Sequence, residues 1–257
     1  MSSTQIADQI KIYVLTIYNE DHPRIVSAKR QLEQLGLPYI IVKAIEPTEA
    51  VFKQHYSKMA NFFLMKRSLS IGEVGCYIGH AMMWKQFIKS SDTHAVFLED
   101  DFNIVDYTHL KSALKDCLSC EKNWDLIKLF DFRPKKIISS HLIGTTTLVA
   151  YKYPASGNVG YFMNRHCAEA LLKRKKVFRP VDEDMAHMWE FGIRIWSVIP
   201  NPLTEQSHLL GGSTIDLNRK IQSRERRPLR SLWGNVLQSY KLVRSILYRR
   251  KMRFKIY

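Results

Sequence analysis

No apolar run in this sequence is long enough to cross a bilayer, and acidic side chains are scarce. A spanning helix needs about 20 consecutive apolar residues. The opening stretch MSSTQIADQIKIYVLT also lacks the basic region, apolar core and small-residue cleavage site of a secretory leader, so neither leader nor anchor is expected. Cysteine is limited to Cys76, Cys117, Cys120 and Cys167, of which only the middle two are close together. No second Cys or His pair completes a zinc spacing, which predicts reduced cytosolic thiols rather than a disulfide framework or a zinc site. Asp and Glu number 24 against 39 Lys and Arg, a net charge of +15 that calls for an anionic partner: a nucleic acid, an acidic membrane surface or a phosphorylated substrate. With 46% hydrophobic and 25% charged residues over 257 positions, the chain is an ordinary globular one of one large or two small domains, without internal repeats.

The charge is concentrated at the end of the chain. After Asn218 stand thirteen Lys and Arg against the single Glu225, so residues 219–257 carry +12 and residues 1–218 only +3. In this tail Leu229, Trp233, Val236, Tyr240, Val243 and Leu247 recur at steps of four and three, one apolar stripe on a helix whose other faces are basic. Such a helix suits the interface of an anionic membrane. Packing of the stripe on the domain is the alternative, and binding of nucleic acid is less favoured because no known nucleic-acid motif accompanies the charge.

Residues 10–17 (IKIYVLTI) form an apolar β-branched run that predicts a buried strand. A helix follows from Arg24 to Leu35, stopping at Gly36, and YIIVKA at 39–44 returns to strand. This β-α-β opening predicts an α/β fold with parallel neighbours. Ser70 and Glu73 have capping-box spacing and start a helix to about Lys89. Strands are predicted at 94–98, 124–130, 159–163 and 193–199, and helices at 107–120, 165–175 and after Pro180.

The strand at 94–98 runs into Glu99, Asp100 and Asp101. Consecutive carboxylates at a strand end are costly unless positive charge meets them, and ligands of open α/β sheets bind outside those ends. On an extended backbone Glu99 and Asp101 point one way and Asp100 the other, so the outer pair can hold one divalent ion. A solvated acidic turn is the bland alternative.

The stretch from Leu69 through Ser70, Gly72, Glu73, Gly75, Tyr77 and His80 to Trp84-Lys85-Gln86, followed by Val96 to Asp101, resembles glycosyltransferase family 25, which comprises lipopolysaccharide and lipooligosaccharide glycosyltransferases and collagen galactosyltransferases. The likeness continues through Gly160-Tyr161, Asn164, Ala168, Leu171, Pro180-Val181-Asp182, Asn201-Pro202-Leu203, Gln206, His208 and Ser213-Thr214-Ile215. It departs at Asn19 to Pro23, where the family has an Arg-rich form, at Asn164, where Ser is common, and at Gly79-His80, which replaces Ser-His.

This resemblance implies a GT-A fold, a mainly parallel mixed sheet flanked by helices, over residues 1–218. It also implies an inverting, metal-dependent transfer from UDP-galactose or UDP-glucose, with Mn²⁺ ahead of Mg²⁺. Glu99 and Asp101 would be the metal ligands, and His208 would be a third ligand or a pyrophosphate contact. Asp182 would be the base that takes the acceptor proton, or else a helix cap, with Asp184 as its substitute. Arg24, Asp100, Asn164 and Gln206 would contact donor or acceptor. Glu73 and His80 share a helical face with Tyr77 and Trp84, either as a wall of the site or as part of the core.

The acceptor implied is a lipooligosaccharide at the inner face of the inner membrane, reached from the cytoplasm through the basic tail of residues 219–257. A collagen-modifying enzyme would carry a secretory leader. Two rivals remain: a nucleotidyltransferase using the same acidic pair, and a non-catalytic basic module that binds membrane or nucleic acid. Oligomeric state is not readable from the sequence.

Overall fold

A computed structural model describes residues 10–210, 212 and 228–251. The first apolar run is β1 (Ile10–Thr16), and the helix after it, α1 (Pro23–Leu35), carries Pro in its first turn, where a missing N–H costs no hydrogen bond. α1 ends at Gly36, whose φ of 69° a glycine adopts without strain. The chain returns as β2 (Tyr39–Lys43), parallel to β1, and β3 (His94–Glu99) pairs in parallel with the other edge of β1. The predicted β-α-β opening is therefore present.

Two short helices, α2 (Glu49–His55) and α3 (Lys58–Leu64), precede α4 (Ile71–Lys89). α4 opens with the predicted capping box: Ser70 Oγ accepts from the Glu73 amide, and the Glu73 carboxylate accepts from the Ser70 amide. After β3 come β4 (Phe102–Ile104), α5 (Tyr107–Ser119), β5 (Leu126–Lys128) and the hairpin of β6 (Ile137–Ile143) and β7 (Thr146–Tyr151). The chain continues through β8 (Gly160–Asn164), α6 (Arg165–Leu172), α7 (Val181–Ala186), α8 (Met188–Phe191), β9 (Ile195–Ile199), β10 (Leu203–Glu205) and α9 (Pro228–Lys251).

Eight strands form one sheet in the order β2-β1-β3-β8-β5-β9-β7-β6, while β10 pairs with β4 separately. Only β7 and β8 run against the others, so the sheet is mixed and mainly parallel, as expected. Strand alternation sorts the core into two layers. Ile12, Val14, Val96 and Leu98 meet α1 and α5, whereas Tyr13, Leu15, Ala95 and Phe97 meet α4 and α6. α4 approaches β1 closely because residue 79 is glycine: a Cβ there would lie 2.8 Å from Leu15 Cδ1.

β5 carries a buried cation in its apolar run. Lys128 Nζ donates to the carbonyl oxygens of Ala155, Ser156 and Gly157 at 2.6, 3.0 and 2.6 Å, gathering the loop before β8.

The tail helix α9 meets the domain through its polar side. Trp233 Nε1 donates to the Phe63 carbonyl (2.7 Å), Ser245 Oγ to that of Lys152 (2.9 Å) and Arg249 Nη1 to that of Ile195 (3.2 Å), while Lys241 pairs with Glu183. Trp233, Val236, Tyr240, Val243 and Leu247 face outward, between 46% and 55% exposed. The helix thus packs on the domain, but not through the whole stripe as the packing expectation held: apart from the Trp233 hydrogen bond the stripe stays half exposed. The small positive charge of the domain does not prevent docking, because Glu183 offers a local counter-charge. The Leu229 side chain, residues 213–227 with Ser213-Thr214-Ile215, and residues 252–257 lie outside the described set. Among the described residues no helix is long and apolar enough to cross a membrane.

Replacing Lys128 by Met would take the side-chain donor from the Ala155 carbonyl and one of two donors from those of Ser156 and Gly157. We expect a loss of about 2–3 kcal/mol, read as a lower urea midpoint.

Candidate active site

Two cavities open beyond the carboxyl ends of β1 and β3. The first, about 170 Å³, is bounded by Thr16, Tyr18, Arg24, Ile45 and the acidic turn; the second, about 290 Å³, by Glu73, Phe132, Asn158, Asp182 and Glu205. Both include Cys76, Glu99 and Asp101, so the carboxylate pair lies where they adjoin.

β3 ends at Glu99, and Asp100 and Asp101 form the turn that follows it. Asp100 turns to the α1 side and accepts from Thr16 Oγ1 at 2.6 Å and Arg24 Nη1 at 2.8 Å. Glu99 turns to the α4 side, where its Oε1 lies 3.1 Å from His80 Nε2, and His80 Nδ1 lies 2.8 Å from Tyr161 Oη. Asp101 Oδ2 is 3.4 Å from Arg24 Nη1, while its Oδ1 is buried without a partner among the described residues. Burial, reinforced by the charge of Glu99 and opposed by Arg24, pushes the Asp101 carboxyl up to about 7.

An orphaned carboxylate oxygen beside a second carboxylate fits a divalent cation, which takes oxygen ligands. Glu99 and Asp101 both border the two cavities and would hold such an ion. His208 is exposed on a 3₁₀ turn, Ser207–Leu209. The imidazole that converges with Glu99 belongs to His80, with Cys76 Sγ as the third atom of a group lying within 4.8 Å.

Arg24 differs from its expected use as a phosphate contact. Besides the acidic turn it donates to the carbonyls of Leu210 and Gly212, at 3.3 and 2.6 Å, so its guanidinium ties three segments together. Burial acts to lower its pKa, but the Asp100 hydrogen bond and the two acidic charges outweigh that and raise it.

Asp182 lies in the first turn of α7 and lines the second cavity. Its side chain does not cap the helix, as the alternative expectation held: Oδ1 accepts from the Glu183 amide (2.8 Å) and Oδ2 from the Gly157 amide (3.1 Å). Oriented to satisfy its neighbours, the Asn158 amide donates to the Gly157 carbonyl (3.0 Å) and accepts from the Asp182 amide (3.3 Å). Asp184, expected as a substitute base, is instead buried and consumed by Tyr77 Oη, Arg174 and Arg179. It borders neither cavity.

Glu73 lines the second cavity while its carboxylate takes Arg67 in two contacts of 2.8 and 2.5 Å. Tyr77 and Trp84 are core residues, and Trp84 Nε1 donates to Tyr161 Oη at 2.8 Å. Gln206 supports the acidic turn from behind, giving its side-chain amide to the Phe102 carbonyl (2.7 Å) and its backbone N–H to that of Asp101 (2.9 Å). Asn164 is at the wrong end of the sheet for donor or acceptor contact. It pairs with His94, the first residue of β3, and caps α6 by accepting from the Cys167 amide.

Thr16, Cys76, Arg67, Lys128 and Asn158 escaped the sequence reading. Lys128 left one signal, a lysine inside an apolar strand, since buried lysine is rare unless its charge is met.

A carboxylate-lined double cavity beyond the strand ends of a helix-covered, mainly parallel sheet stands where α/β proteins bind their ligands. The chain belongs to glycosyltransferase family 25 (LPS biosynthesis protein), whose family model matches residues 9–186. It is similar to a glycosyltransferase 25 family member of Aedes aegypti, at 29% identity over 46% of this chain and 20% of that protein. A second relative, of Rattus norvegicus, is named a probable inactive glycosyltransferase 25 family member 3, at 26% identity over 56% of this chain and 28% of the relative. The lacto-N-neotetraose biosynthesis glycosyltransferase LgtE of Neisseria meningitidis serogroup B (strain ATCC BAA-335 / MC58) is 21% identical over 77% of this chain and 78% of its own length. The chain spans between 20% and 31% of the length of the first three curated relatives it matches.

His187, buried where α7 passes into α8, supplies a pH test. Burial first, and Arg179 next, push its imidazole from 6.5 down to about 3. The unfolded chain therefore binds a proton that the folded chain refuses between those values, and stability falls as pH drops through that window, by at most about 1.4 kcal/mol per unit. A His187→Gln variant should lose this part of the slope in melting temperatures taken from pH 7 to pH 4.

Proposed function

We propose that this chain transfers a hexose, galactose first and glucose second, from a UDP donor to the oligosaccharide of a lipooligosaccharide or lipopolysaccharide, with inversion at the anomeric carbon. The observation that carries the reading is the meeting of Glu99, Asp101 and Asp182 at one cavity, although Asp182 lies far along the chain from the other two. Family membership supports the reaction class, and the length match with the meningococcal LgtE supports the glycolipid acceptor.

The nucleotide would occupy the first cavity, beside Tyr18 and Ile45, and the sugar and acceptor the second. A divalent cation, Mn²⁺ ahead of Mg²⁺, held by Glu99 and Asp101 would supply neutralising charge for the departing diphosphate. His80 fixes Glu99 from the α4 side, and Arg24 fixes Asp100 and the carbonyls of Leu210 and Gly212. Asp182, held by the Gly157 and Glu183 amides, accepts the proton of the acceptor hydroxyl. The exposed stripe of α9 sets the enzyme on the anionic inner leaflet as a peripheral cytoplasmic protein, with tail cations near the headgroups.

The first test is UDP release from a panel of UDP-sugars with Mn²⁺. Release from one donor alone, abolished by chelation and by Asp101→Asn, is expected. Pyrophosphate release from a nucleoside triphosphate would establish the nucleotidyltransferase instead. Asp182→Asn should keep UDP-sugar binding but lower transfer to an acceptor by about 10²-fold or more. Unchanged transfer would remove Asp182 as the base.

The membrane assignment is tested by flotation with anionic and zwitterionic vesicles. The wild-type protein should float with the anionic ones, and Val236→Asp/Val243→Asp should stay at the bottom with its melting temperature preserved. Equal flotation of both proteins would sink the assignment.

A further inference from the structure

A third cavity, of about 620 Å³, lies between the far edge of the sheet and the carboxyl-terminal half of α9, and it shares no residue with the two cavities of the active site. Four cations border it: Lys136 and Lys152 from the β6–β7 region, and Arg249 and Arg250 from α9. Trp196 and Ile246 give it an apolar wall. No Asp or Glu appears among its described lining residues.

Arg249 makes the site more than a basic surface. Its Nη1 donates to the Ile195 carbonyl, but its Nε is buried with no partner among the described residues. A half-buried guanidinium whose buried Nε meets no carboxylate is a costly arrangement, and a bound anion relieves it. The same burial pushes Arg249 down to about 10. A volume of this size exceeds what a lone phosphate fills and lies in the range of sites for small organic ligands. Val243 and Leu247 of the exposed stripe lie beside Ile246 and Arg250 on the helix surface, so an amphiphile in contact with the stripe can reach the cavity with its head.

We propose that this cavity is a second binding site, for the phosphate ester of an amphiphile, in which Arg249, Arg250, Lys136 and Lys152 hold the phosphate and Trp196 and Ile246 meet its apolar or sugar portion. The amphiphile rests on the reading of α9 as a membrane-facing helix; the phosphate rests on the cavity alone. A phospholipid headgroup and the phosphorylated core of a glycolipid share this chemistry.

The test is calorimetric titration of the full chain with dihexanoyl phosphatidic acid below its micellar concentration, with dihexanoyl phosphatidylcholine, with glucosamine 1-phosphate and with inorganic phosphate. Saturable binding of phosphatidic acid, and weaker or absent binding of phosphatidylcholine, is expected. Lys136→Gln/Lys152→Gln removes two outer cations and spares Arg249, and it should weaken phosphatidic acid by about tenfold or more. UDP release by that variant should be unchanged. Tighter binding of glucosamine 1-phosphate than of phosphatidic acid, lost in the same variant, would assign the site to the glycolipid core. Inorganic phosphate binding as tightly as either ester would overturn the amphiphile, and equal binding of phosphatidic acid by variant and wild type would overturn the site. Vesicle flotation fails independently of all these titrations, so failure of the membrane reading is separable from failure of the cavity.

Discussion

Asp100 has both carboxylate oxygens committed, one to the Thr16 hydroxyl and the other to the Arg24 guanidinium, in a place where all three side chains are almost wholly withdrawn from water. Three successive acids cannot end a buried strand unless most of their charge is met. Arg24 meets Asp100 at close range and Asp101 at longer range, and its other nitrogens grip backbone carbonyls near the end of the domain. The first helix, the end of β3 and the segment around residue 210 therefore converge on one cation. What is left over borders the cavities: Glu99 is steadied by the His80 imidazole, and Asp101 keeps an oxygen with no partner among the described residues.

A second cationic cluster performs the same service for α7. Arg174 and Arg179 both reach Asp184 and Glu190, and Tyr77 adds its hydroxyl from α4. The short helix is thereby fixed against the long one. Residues two apart on a helix point in nearly opposite directions. Burying Asp184 in its arginine pair thus obliges Asp182 to face the cavity, and the two aspartates that look interchangeable in the sequence acquire different work.

The parallel half of the sheet was legible because its signals are local. An apolar β-branched run, a helix stopped at Gly36 and a capping box at Ser70 each act within a few residues, and β1, α1, β2 and α4 appear where those signals put them. The β6–β7 hairpin was not legible, since β6 is an edge strand whose mixed sequence IISSHLI is largely solvent-facing and carries no clean alternation. In the site, strand parity foretold that Glu99 and Asp100 turn opposite ways, but Asp101 lies in the turn beyond β3 and shares Arg24 with Asp100. Parity could not foretell the partners, because Arg24 reaches Asp100 and Arg174 reaches Asp184 only after the chain has folded. The role of Gln206 was obscured for the same reason, since it answers to a distant backbone carbonyl, whereas the Asn164 cap is local, to the amide three residues on.

The ion pair between Lys241 of α9 and Glu183 of α7 bears on how the protein should be handled. Glu183 follows Asp182 directly and gives it a backbone N–H. A form shortened before α9 for the sake of solubility would shed the proposed membrane contact and, with it, the cation that pairs with the residue next to the proposed base. Turnover of such a form on soluble substrates would then confound two losses, and its crystals would show α7 relieved of a restraint that the whole chain imposes.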